Sequence, residues 1–70
     1  MQDLLARYHT AQLTKYSKRM PAREAGIAAK FALDDMASTV RRNMEIYSGD
    51  VEMVRNTLMM EIEDTEAVIG

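Results

Sequence analysis

His9 is the only histidine in this chain of 70 residues. To act as a general base it would need a nucleophile within hydrogen-bond reach and a further group to orient its ring. Thr10, Tyr16 and Ser17 lie near it in sequence, but their spacing forms no recognised arrangement. Glu61, Glu63, Asp64 and Glu66 form a second group of reactive types. Carboxylates at that density can hold a hard cation, yet a calcium loop also needs a glycine at its bend and oxygen ligands at alternating positions. On a helix these four acids spread around the outer surface instead. Seven methionines supply thioethers, which suit soft copper. Met59 and Met60 fall on different helix faces, and no histidine joins them at helical spacing. Methionine then reads as adaptable packing. No phosphate-binding glycine loop, zinc-ligand spacing or nucleophile elbow occurs. The residue types therefore predict no enzyme, no metal and no cofactor.

Charge is divided along the chain. Residues 1–33 hold six basic side chains against two acidic ones, a net of +4. Residues 34–70 hold three basic against nine acidic, a net of −6. Two readings follow. The halves attract each other within the fold or between chains, or the basic half meets nucleic acid and the acidic half a partner. For the second reading the candidate contacts are Lys15, Lys18, Arg19, Arg23 and Lys30. Ala22-Arg23-Glu24-Ala25-Gly26-Ile27 has the small-residue and apolar spacing of a helix-turn-helix bend. That register asks for an apolar residue near Asp35 and puts Pro21 inside the first helix, so one continuous helix fits better. Lys30 and Asp34 also form an i, i+4 pair that partly neutralises the basic side. The basic-then-acidic layout is similar to that of small antitoxins, which bind DNA with one end and a partner with the other. The ribbon-helix-helix start of such proteins needs an N-terminal strand. Residues 1–12 read as helix, so no residue roles carry over.

Three helices must position all of these groups. Leu4, Leu5, Tyr8, Ala11, Gln12 and Tyr16 share one face of a helix predicted over residues 3–18, with His9 at its edge. Pro21 ends it, because the residue before proline is pushed out of the helical region. Proline also suits the first turn of the next helix, predicted over 21–47 and about 40 Å long at 1.5 Å per residue. A third helix is predicted over 51–68, with Gly49 as terminator of the second and Asp50 as N-cap of the third. The fold class is all-α, in one small domain spanning residues 1–70.

Apolar stripes at steps of three and four make the second and third helices an antiparallel hairpin around Ser48-Gly49-Asp50. Ala29, Leu33, Met36, Val40, Met44 and Tyr47 line one side of the seam. Val51, Val54, Leu58 and Ile62, continued by Thr65 and Ile69, line the other. Each helix also carries a second apolar set on its opposite face: Ile27 and Phe31 on one, Met53, Met60 and Ala67 on the other. The hairpin leaves these sets uncovered unless the first helix folds back over them. A chain this short has a marginal core, and it has no cysteine to staple it. Size and spare apolar surface together predict a homo-oligomer, most simply a dimer. They also predict a non-enzymatic protein-binding role: an adaptor, inhibitor or small regulator docking helix to helix. The alternative is a small DNA-binding regulator using the basic half. No apolar run is long enough to span a membrane, and no signal peptide is visible, so a cytoplasmic protein without membrane contact is expected.

Overall fold

A computed structural model describes residues 1–47 and 49–69. Three helices are present: α1 (Gln2–Ser17), α2 (Ala22–Ile46) and α3 (Val51–Ile69). No strand occurs among the described residues. All three helices and their order agree with the sequence pattern, with ends within one residue of the expected ones.

The ends follow local chemistry. After α1 the chain tightens, with the Arg19 and Met20 amides both donating to the Tyr16 carbonyl at 3.0 and 3.1 Å. Pro21 then sits at φ −56° and ψ 151°, outside helical geometry, and its carbonyl accepts the first α2 bond from the Ala25 amide at 2.9 Å. At the other end of α2, Gly49 has a φ of +80°, and its amide reaches back to the Met44 carbonyl at 2.8 Å. Glycine tolerates that left-handed angle because it has no Cβ. Asp50 then caps α3: its Oδ1 accepts from the Met53 amide at 3.1 Å. Ser48, the first residue of the expected turn, lies outside the described residues.

The chain runs up, down and up, so α1 and α3 lie parallel. Asp3 meets Arg55, Gln12 meets Thr65, and Lys18 meets the Ile69 carbonyl in the same order along both helices. The main packing element is α1. It lies against both α2 and α3, and those two touch each other much less. The sequence pattern expects a hairpin seam in which α2 and α3 are the chief partners; here α1 lies along that seam and faces both stripes. Leu4 and Tyr8 of α1 join Val40 of α2 and Val54, Leu58 and Ile62 of α3 in one buried cluster. Met1, Leu5, Ala32, Met36, Met44 and Met59 pack around it. Toward the α1–α2 junction the buried residues become small: Ala11 on α1, and Ala25 and Ala29 on α2. Side chains of that size let two helices approach closely. The bundle measures 40 × 22 × 16 Å across its Cα atoms.

Candidate interaction surface

Residues expected at the hairpin seam divide into three groups. Ala29, Val40, Val54, Leu58, Ile62 and Thr65 are buried, and Leu33, Met36, Met44 and Ile69 are half-buried. Tyr47 and Val51 do not join the core and stand exposed at the turn. Their physical reason is position: they stand at the end of the bundle where α1 begins, and among the described residues nothing packs over the last turn of α2. Ile46, beside them, is exposed as well.

The second faces remain open even though α1 folds back. Phe31 is 71% exposed and Ile27 53%, on the outer side of α2. Met60 is 67% exposed and Met53 47%, on the outer side of α3, with Ala67 also exposed. The cause is the choice of face made by α1. Its buried residues Leu4, Tyr8, Ala11 and Gln12 engage the two inner stripes, which were already the stronger ones, and leave both outer stripes to solvent. Val68 adds an exposed apolar group near the end of α3.

Two hollows adjoin Phe31. An open groove of about 740 Å³ runs between α1 and α2, walled by Tyr8, Gln12, Tyr16, Phe31 and Ala32, with Lys15 and Asp35 at its edges. The Lys15 ammonium lies 5.4 Å from the centre of the Tyr16 ring. A smaller depression of about 130 Å³ lies on the outer side of α2, between Ile27, Lys30, Phe31 and Asp34. Phe31 thus forms the ridge between the two.

Gln12 is the most constrained polar residue. It is buried, and its Nε2 donates to Thr65 Oγ1 at 3.3 Å. The Thr65 hydroxyl spends its single proton on the Glu61 carbonyl at 3.0 Å, so toward Gln12 it can only accept. That turns Nε2 toward α3 and leaves Oε1 buried with no protein donor among the described residues. Tyr8, one turn earlier, is close enough to Gln12 for the amide to ease its ionisation, yet its hydroxyl makes no hydrogen bond to Oε1. Burial, assisted by the charge of Glu61, dominates and pushes the Tyr8 hydroxyl above its ordinary value. The sequence pattern places Gln12 on the inner face and does not reveal this contact, which links residues 53 positions apart.

The divided charge is used in part inside the fold. Arg7 on α1 grips Glu66 on α3 with two hydrogen bonds, of 2.7 and 3.0 Å. Asp3 accepts from Arg55 at 3.2 Å. Hydrogen bonding to Arg55, then to the terminal amine of Met1, lowers the Asp3 carboxyl to about 2. The Arg7 guanidinium lowers Glu66 in the same way. Lys18 reaches the Ile69 carbonyl at 2.7 Å, at the negative end of the α3 dipole. Because α1 and α3 are parallel, the acidic residues 61–66 lie alongside the basic end of α1. Lys15, Lys18 and Arg19 therefore share one end of the bundle with Glu61, Glu63, Asp64 and Glu66. Arg23 and Lys30 are exposed along α2, with Asp34 next in line.

His9 is half-buried on α1. Among the described residues no group of three or more histidine, cysteine or acidic side chains is disposed to hold a metal ion. No helix among them is long and apolar enough to cross a membrane. Compared with known protein families, curated proteins and solved structures, the chain gives no significant match.

Proposed function

We propose that this protein is a non-enzymatic interaction module that works as a homo-oligomer and docks through its outer helix faces. The observation that carries this reading is the exposure of Phe31 beside Ile27 on α2, matched by Met53 and Met60 on α3. An internal core exists without them, so folding of the single chain does not account for these side chains. Scattered apolar residues on a surface are ordinary, but two stripes at helical spacing on separate helices are an organised surface. Methionine suits such a surface because its flexible thioether adapts to different partners. Adaptor, inhibitor and small regulator are all roles open to a module of this kind.

The test is affinity capture from an extract of the native host, using the protein immobilised as wild type, Phe31→Asp and Met60→Glu. The reading expects a discrete set of captured proteins, this chain among them, that one or both variants lose while keeping full helicity by circular dichroism. Capture no better than bare resin, or capture indifferent to both substitutions, would contradict it.

A further inference from the structure

The outer face of α2 carries a four-residue repeat with a particular symmetry. Arg23, Ile27, Phe31 and Asp35 follow one another at steps of four, and all four are exposed. Residues at that spacing form a continuous ridge inclined to the helix axis. The ridge is apolar in the middle, positive at its N-terminal end and negative at its C-terminal end. Turned end for end, it is its own complement.

We infer that this ridge is a self-association site whose occupant is the same ridge of a second copy, related by a two-fold axis midway between Ile27 and Phe31. In that register Ile27 meets Phe31 of the second copy, and Arg23 meets Asp35, each contact occurring twice. Such isologous pairing is the commonest form of homodimer contact. Two ridges of this type interlock when their helices cross at about 50°, the most frequent packing class in globular proteins. The crossing also needs a furrow beside each ridge. The depression of about 130 Å³ between Ile27, Lys30, Phe31 and Asp34 lies there. In this register it faces Ile27 of the second copy and is placed to receive that side chain.

Charge singles out α2 over α3 for this purpose. The Met53–Met60–Ala67 stripe is flanked by Glu63 and Asp64, and pairing it with itself would set acids against acids. The inference rests on the homo-oligomer reading above and deepens it by fixing which face meets a second copy.

Charge reversal with mixing tests it, with oligomeric mass followed by sedimentation velocity from micromolar to millimolar concentration. Arg23→Glu alone sets a carboxylate against the carboxylate of Asp35 in the second copy. Asp35→Arg alone sets a guanidinium against that of Arg23. Each variant should self-associate more weakly than wild type by roughly tenfold or more. An equimolar mixture of the two variants should recover dimers, because one of the two cross-pairs then joins the two introduced side chains, which are of opposite sign, and the other keeps its native partners. The double variant carrying both reversals should recover them as well. Arg23 and Asp35 are exposed, so helicity should be unchanged throughout. Association of wild type that neither reversal weakens, or no recovery on mixing, overturns the assignment. If Met60→Glu then abolishes association, the site moves to α3 and the homo-oligomer reading stands. A wild type that stays monomeric over the whole range overturns both.

Discussion

Replacing Gln12 with methionine should stabilise the protein. The wild-type amide makes one hydrogen bond, to Thr65 Oγ1, and leaves its buried carbonyl oxygen without a protein donor among the described residues. The bond contributes about 1 kcal/mol net, and the stranded oxygen costs about 1–3 kcal/mol. Methionine has nearly the same length and shape, with no polar atom needing a partner. Thr65 loses little, because its hydroxyl keeps the bond to the Glu61 carbonyl. The balance is a gain of about 1 kcal/mol, which for a domain of this size raises Tm by roughly 4–8 °C. Gln12→Glu, in contrast, should destabilise, since it buries a carboxylate beside a hydroxyl whose proton is already committed. Thermal and urea unfolding followed by circular dichroism, at one fixed protein concentration, read both changes. A Gln12→Met variant less stable than wild type by about 1 kcal/mol or more would mean that Oε1 does have a donor, and the reasoning would fail.

Other expectations are simpler. Leu58→Ala removes the centre of the buried cluster and should cost about 2–5 kcal/mol in urea unfolding, whereas Phe31→Ser should leave the stability of the monomer nearly unchanged. Asp50→Ala should cost about 1 kcal/mol through loss of the α3 cap, and Gly49→Ala about as much through strain at φ +80°. The Asp3 carboxyl is lowered from 3.8 to about 2 in the folded state. The ionised form is therefore favoured by folding, and its contribution is present above the ordinary carboxylate range and lost as pH falls from 3.8 to about 2. The stability difference between wild type and Asp3→Asn should shrink across that window, and a difference independent of pH would exclude the Arg55 contact as its cause.

The elements were legible because each is marked twice. Apolar residues repeat at helical steps, and Pro21, Gly49 and Asp50 stand where helices must stop and start. The inner stripes were legible for the same reason, since Val40, Val54, Leu58 and Ile62 sit at their centres. What periodicity does not contain is which neighbour each stripe meets. A stripe on α2 fits an α1 partner or an α3 partner equally well, and here α1 lies against both helices through Leu4, Tyr8 and Ala11. Tyr47 and Val51 fit the repeat and are exposed, because a repeat carries no information about where the neighbouring helix ends. Long-range polar contacts were also hidden. Arg7–Glu66 and Gln12–Thr65 join residues more than fifty positions apart, and only the parallel course of α1 and α3 brings them together. The outer stripes were legible as spare surface, since their angle on the helix set them opposite the core whatever covered it.

The most direct test of the account is the mass of the wild-type protein in solution as a function of concentration, measured by static light scattering. The outer face of α2 predicts a mass that climbs from the monomer value toward the dimer value as concentration rises. A mass fixed at the monomer value from micromolar to millimolar concentration would contradict the reading of this bundle as one half of an assembly.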